Sequence, residues 1–440
     1  MLVQNATVVT WERPNRLLPG SAVRIESGQI AAIGSSAKLS PRSASEEVID
    51  AGGQLVLPGN ICAHTHFYGA LARGMALPGS SPKDFPEILE KLWWRLDRAL
   101  GPEDVRYCAL VSMLDAIHHG TTTLFDHHAS PECIPHSLDW IEKEVERAGL
   151  RAVLCYEVTD RNGASGAKQG IAENVRFLSK PKAETIRAAF GLHASLTLSD
   201  QTLKDCRAAA PSGTGFHVHI AEHEADEYDS LEKSGLRIVE RFEKAGVLGD
   251  RTIAAHCVHV DFHEGEILAR SGAWVTHQPR SNMNNGVGVA PVEALLNEGA
   301  HVCLGNDGFS NAMWDEWKAA FLVQKVVARD PRRASADQVV EMGVYQNAAL
   351  ASLYFAPLDI GVLRPGAAAD LMLVDYHPTT PLTQDNLPSH ILFGFENSMV
   401  TSTMVAGNWL MRNRQLLTLD EARITSASRE LARALWKRVR

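Results

Sequence analysis

A chain of 440 residues exceeds what one small hydrophobic core can hold, so a large domain with a second module is expected. Hydrophobic residues make up 45% and charged residues 22% of the chain, ordinary globular values that exclude disorder and low complexity. Its 43 basic and 52 acidic residues leave a net charge of −9, which excludes nucleic acid as the main partner.

In chain order, residues 1–57 read as short strands: Leu2–Thr10, Ala22–Glu26, Ile30–Ile33 and Glu47–Asp50, with a hairpin turn at Ser27-Gly28. Met1–Thr10 alternates like a strand and lacks the basic and apolar blocks of a signal peptide. Apolar runs then alternate with stretches of helical period. The runs are Leu55–His66, Thr121–Asp126, Arg151–Val158, Ile186–Ala194, Gly215–Glu222, Thr252–Val260, Ala273–His277 and His301–Asp307. Eight strand–helix units predict an α/β fold, a (β/α)8 TIM barrel, and the interval from His64 to Asp307 fits a barrel of ~250 residues. An open doubly wound sheet is the alternative, weakened by the strand count and by the lack of G-x-G-x-x-G after the first run.

Asp160–Gly170 reads as a mobile loop. Strand texture returns in Asp370–Asp375 and Ser402–Arg412, with a turn at Ala406-Gly407-Asn408. Both chain ends are therefore expected to build a small β-sandwich domain, from residues 1–57 and 362–419, around a barrel of residues 58–361. Residues 420–440 form an amphipathic terminal helix with basic Arg429, Arg433, Lys437, Arg438 and Arg440. It is read as docked, its basic face solvated, in preference to a membrane-surface helix. No apolar run approaches the ~18 residues that span a bilayer. The seven cysteines are scattered, odd in number and without a C-x-x-C pair, which points to a reducing cytoplasm. A homodimer is the default assembly.

Histidine is the unusual count, at 18. His64 and His66 close the first barrel strand, and side chains at i and i+2 share a face with Cα atoms roughly 6.5–7 Å apart. His219 and Glu222 close the fifth strand, His256 the sixth and Asp307 the eighth. In a barrel these ends meet on the face where active sites are built. Three imidazoles and a carboxylate suit one divalent ion, Zn²⁺ first and Fe²⁺ or Mn²⁺ next, with a position left for water. A lone H-x-H is weak evidence, and His217, His223 and His259 are neighbours that could serve instead; the coincidence of four strand ends carries the metal reading. H-E-x-x-H, the small zinc deaminase signature, G-x-S-x-G and a Walker A loop are all absent from the sequence.

PGNICAHTH, HIAE, HCVH and GNDG, in this order, resemble the amidohydrolase superfamily in its deaminase and chlorohydrolase branch. GVLRPGAAADLMLVD resembles that family's return to its β-sandwich, so the likeness covers nearly the whole chain. LWWRLDRAL, DHHASP, CYEVTDRNG and SNMNNGVG are most similar to the SsnA-type aminohydrolases. The resemblance implies metal ligands at His64, His66, His219 and Asp307, a proton shuttle at Glu222 and a non-ligand histidine at His256. The fourth strand, AAFGLHAS, has His193 where two-metal relatives carry a bridging lysine, implying a single metal. The implied reaction is hydrolytic deamination of a nitrogen heterocycle such as an oxidised purine, pterin or triazine. The metal acidifies its bound water from pKa ~15.7 toward ~7, Asp307 takes that water's proton, Glu222 protonates a ring nitrogen, and ammonia leaves.

His193, Arg161, His277, Arg280 and Asn282 are candidate substrate contacts at strand ends, with His127, His128, Asp160, Ser281 and Trp314 nearby. The two arginines suggest an anionic or oxygen-rich substrate; the plain alternative is that they pair with the acidic surface. Two other functions share the pattern: a hydrolase releasing chloride or opening a cyclic amide, and a non-catalytic scaffold that has kept the barrel.

Overall fold

Strand-forming runs of Val, Ile and Thr sort the chain into three sheets in the computed structural model, which describes residues 1–77 and 79–439; Pro78 and Arg440 lie outside it. At the N-terminus these are β1 (Leu2–Val9), β2 (Leu17–Glu26), β3 (Gln29–Ser35), β4 (Val48–Asp50) and β5 (Leu55–Pro58). The expected single run Leu55–His66 is two strands. β5 belongs to the terminal sheet, and β6 (Asn60–Thr65) starts the parallel strands. Gly59 separates them, at a place where a Cβ would fall 2.2 Å from Thr122 Cγ2.

The parallel strands continue as β7 (Thr121–His128), β8 (Arg151–Tyr156), β9 (Ile186–Ala188), β10 (Phe190–Ala194), β11 (Phe216–Ile220), β12 (Ile253–His256), β13 (Trp274–His277) and β14 (His301–Leu304). They form two sheets, β6-β7-β8-β9 and β10-β11-β12-β13-β14. Isolated parallel bridges Val158–Leu192 and Thr65–Asp307 join them at both seams. Every residue of β6, β7 and β8 is buried, as expected where both faces of a parallel sheet are covered. The run Ile186–Ala194 also divides, between β9 and β10.

The chain returns through β15 (Leu371–Val374), β16 (Val400–Val405), β17 (Asn408–Arg412) and β18 (Gln415–Leu416). β15 pairs antiparallel with β5, and together both chain ends make one mixed nine-stranded sheet. Val3, Val23, Ile25, Ile30, Leu371 and Met404 form its own buried cluster. Arg151 of β8 ties this sheet to the parallel strands. Its Nε and Nη2 donate to Asp370 at 2.5 and 3.1 Å, with both side chains almost wholly buried.

The expected loop Asp160–Gly170 is a helix from Gly163 onward, ending at Ser179. Tertiary contacts override its glycine content. Asn174 of this helix accepts from Tyr156 N at 2.9 Å and donates to Tyr156 O at 2.7 Å, pinning the helix to β8. Gly170 lies so close that a Cβ there would be 3.2 Å from the Tyr156 ring. The terminal helix Glu421–Arg438 docks as read: Ile424 and Leu435 are buried, Trp436 Nε1 donates to Leu71 O at 2.7 Å, and Arg429, Arg433 and Lys437 face solvent. Among the described residues no helix is long and apolar enough to cross a membrane.

Candidate metal centre and its cavity

The polar strand ends converge. His66 Nε2 lies 3.0 Å from Asp307 Oδ1 and 3.1 Å from His219 Nε2, and His64 Nε2 is 3.4 Å from Asp307 Oδ1. Ligands bound tetrahedrally to Zn²⁺ at ~2.0–2.1 Å stand ~3.3 Å from one another, so these separations fit one ion. The tautomers fit as well. His66 Nδ1 donates to His127 O at 2.6 Å and His219 Nδ1 to His193 O at 2.8 Å. A carbonyl only accepts, so in their neutral form both rings turn an Nε2 lone pair toward the centre, the usual outer-shell arrangement of ligating histidines. His64 Nδ1 meets His217 Nε2 at 2.8 Å, and its buried Nε2 has no hydrogen-bond partner.

The backbone is bent to deliver these groups. Asp307 and His256 adopt φ of 57° and 74°, left-handed conformations that non-glycine residues take only where surroundings enforce them. Gly305 lets β14 approach β6: a Cβ there would stand 2.7 Å from His64 O. Beyond it, Asn306 N and Asp307 N donate to His64 O at 3.0 and 3.1 Å, and His66 N donates to Asp307 O at 2.9 Å.

Burial lowers the His64 pKa to about 3 and shifts His219 and His256 downward too, which leaves lone pairs available. His66 goes the other way, to about 9, because the Asp307 carboxylate outweighs its burial. Against its own burial, Asp307 is held well below the carboxylate range by the adjoining His64 and His66 imidazoles. His64, His219, His256 and Asp307 offer ligand atoms within 4.8 Å of one another, and so do His66, His127 and His219. His66 fits the first ion better than His256, given its contacts with both Asp307 and His219.

Glu222 and His256 face one another, Oε2 to Nε2, at 3.5 Å. Burial, reinforced by the Asp307 charge, raises the Glu222 carboxyl well above its usual range. His256 Nδ1 donates to Asn282 Oδ1 at 2.8 Å, and Ser281 Oγ donates to Asp307 Oδ2 at 2.5 Å. Asn282, expected at the substrate, therefore orients His256 instead.

A solvent-open cavity adjoins this cluster, lined by His66, His219, Glu222 and Asp307. His193 and Arg161 line it as expected; His277, Asn282 and Arg280 are not among its lining residues. Arg280 is a correction with a clear cause, since its guanidinium bonds the buried Glu316 and Ser310 O. His277 is buried with both ring nitrogens unpartnered. The opposite wall was missed: Tyr68, Phe85, Trp93, Trp94 and Asp97, from the segment linking β6 to β7, with Glu157 after β8. Phe85–Ile88, a π-helical turn Leu89–Trp93 and Trp94–Ala99 build most of it. The aromatic LWW run was the available signal, since π-helical turns cluster at functional sites.

A model described as the amidohydrolase family matches residues 55–410. A 5-methylthioadenosine/S-adenosylhomocysteine deaminase of Pelotomaculum thermopropionicum is 31% identical, over 100% of this chain and 99% of its own length. Among solved structures, a zinc-bound adenosine deaminase from Xanthomonas campestris superposes with TM-score 0.86 at 24% identity, covering 99% of this chain and 98% of its own. The zinc complex of atrazine chlorohydrolase TrzN from Arthrobacter aurescens gives 0.84 at 23%, covering 98% and 99%. The chain belongs to the amidohydrolase family. It is a hydrolytic enzyme of the metal-dependent deaminase and chlorohydrolase branch, with a TIM-barrel α/β fold.

Proposed function

We propose that this protein is a metal-dependent deaminase that removes an exocyclic amine from a nitrogen heterocycle as ammonia, with aminopurine nucleosides as the substrate class. The observation that carries it is the convergence of three imidazole Nε2 atoms and Asp307 Oδ1 beside Glu222, a carboxyl whose pKa is raised. The relative named for two adenine nucleosides supports the substrate class.

His64, His66, His219 and Asp307 would hold one divalent ion, zinc by preference, given two zinc-bound structural neighbours. Such an ion supplies a water acidified toward neutral pH. Asp307 Oδ1 is the nearest base to that position, and Ser281 fixes its other oxygen. Glu222, its carboxyl pushed upward by burial, would give a proton to the ring nitrogen beside the reacting carbon; the proton that Asp307 takes from the water would go to the departing amine, and the added hydroxyl would return its proton to Glu222 as the carbonyl forms. His256, oriented by Asn282, faces the oxygen that adds to the ring. His193 and Arg161 stand on the substrate side of the cavity.

For the architecture we read the two parallel sheets as one closed (β/α)8 barrel, 58–361, supported by the bridges Val158–Leu192 and Thr65–Asp307. The nine-stranded sheet is read as folding over its own buried cluster into a β-sandwich, 1–57 with 362–419, followed by the terminal helix 420–440. A cytoplasmic homodimer completes the reading. The test is ammonia release by the zinc-loaded protein from aminopurine nucleosides, guanine, aminopterins and aminotriazines, with chloride release from a chlorotriazine measured alongside. Ammonia from the nucleosides is expected. Chloride without ammonia, or neither product, overturns the proposal.

A further inference from the structure

The cavity wall facing the metal centre holds a buried charge cluster. Arg161 Nη2 donates to Asp97 Oδ2 and, at 3.1 Å, to Glu157 Oε1. The three side chains are 9%, 2% and 3% exposed. Asp97 comes from the aromatic segment and Arg161 from the loop after β8, and the guanidinium carbon sits 5.4 Å from the Trp94 ring centre. All four residues line the cavity.

Charge decides what such a wall can receive. Among the described lining residues Arg161 is the one guanidinium and no lysine joins it, while the carboxyl groups of Asp97 and Glu157 are both in contact with it. A guanidinium attracts a carboxylate strongly when it has no counterion. Here two carboxyl groups already compete for it. Burial raises the Glu157 carboxyl to about 7 and shifts Asp97 upward in spite of Arg161. In either protonation state of Glu157 the positive charge is matched, and a further anion would meet like charge in a desolvated place. Arg161 Nε and Nη1 have no protein partner, so the residue can still donate to a neutral oxygen or nitrogen.

We propose that the Asp97–Arg161–Glu157 cluster is the charge filter of this cavity, admitting uncharged and cationic amino-heterocycles and turning away those that carry a carboxylate. The inference rests on the deaminase reading for its substrates and reverses the anionic preference that the bare arginines suggest.

The probes are 5′-methylthioadenosine and the same nucleoside with its thiomethyl group replaced by a 3-thiopropionate tail. Ammonia release gives kcat/KM for each, and calorimetry on the zinc-loaded protein gives binding without turnover. Wild type is expected to favour the neutral nucleoside by at least roughly tenfold. Asp97→Asn keeps the shape, removes one charge and should narrow that ratio by roughly tenfold; Glu157→Gln should move it the same way. If Asp97→Asn does not fold by circular dichroism, Glu157→Gln carries the test. Equal or better use of the carboxylate by wild type overturns the filter, as does an unchanged ratio in a folded variant. So does failure of both probes to bind. Tighter binding of the neutral probe with no ammonia from either would overturn the deaminase reading and leave the filter standing.

Discussion

Replacing Glu222 by Gln separates holding the metal from moving the proton. Glu222 is not among the groups at the 3.0–3.4 Å separations that mark the ion position; its nearest site partner is His256 Nε2 at 3.5 Å. Gln has the same length and keeps a polar head, and the carboxyl it replaces is already driven toward its neutral form by burial. Metal content and thermal stability should therefore match wild type. What disappears is a proton that can leave and return. General acid–base help is worth ~10²–10⁴-fold, which at ~1.36 kcal/mol per decade is ~3–5 kcal/mol of barrier. The assay is ammonia production under saturating and limiting substrate, with elemental analysis of the same preparation. A fall in kcat of at least ~10²-fold at unchanged metal content is expected. Turnover within about tenfold of wild type would refute the shuttle and move attention to Asp226 or Glu157, which also line the cavity.

The metal reading expects about one divalent ion per chain by elemental analysis, its loss in His66→Ala and Asp307→Ala, and inactivation by a chelator reversed by Zn²⁺; two tightly held ions would contradict it. Zinc at about a hundred times its Kd should stabilise the chain by about 2.7 kcal/mol, a gain that denaturant titration should fail to find in Asp307→Ala. Asn282→Leu removes the acceptor of the His256 Nδ1–H, 2.8 Å away, and the lost bond, about 1 kcal/mol, should lower kcat several-fold at constant metal content; an unchanged kcat would end its positioning role. Arg151→Met strands the buried Asp370 carboxylate, which also accepts from Ala406 N. It should cost about 3–5 kcal/mol in a denaturant titration, and a loss under 1 kcal/mol would show the pair to be dispensable.

The proposed metal cluster was legible in the sequence because its residues lie on or just beyond strand ends, where a period of two and the strand end decide direction locally. H-x-H in β6, the His219 to Glu222 spacing and the isolated Asp307 needed only the assumption that parallel strands end on one face. Two of the three misjudged segments were settled by distant partners. Asp160–Gly170 carries glycines that locally favour a loop, but Asn174 and Gly170 are held against Tyr156. Leu55–His66 starts apolar and resumes so after Pro58-Gly59-Asn60, and Thr122 pressing on Gly59 with the pairing of β5 to β15 shows where one sheet stops.

The arginines mark the deeper limit. At a strand end Arg161 and Arg280 look alike in sequence, each a cation near the catalytic face. Asp97 and Glu316 lie 64 and 36 residues from them, and Glu157, four residues before Arg161, does not by itself disclose the buried pair, so the local sequence does not separate a free guanidinium from a neutralised one. Arg280 is drawn to the buried Glu316 and off the cavity altogether; Arg161 stays in the wall with its charge already matched. Ligand geometry around a metal follows from strand direction, whereas the sign of charge a pocket accepts follows from tertiary pairs. That is why the proposed metal site can be read from strand ends in the sequence, whereas the proposed charge preference rests on the fold.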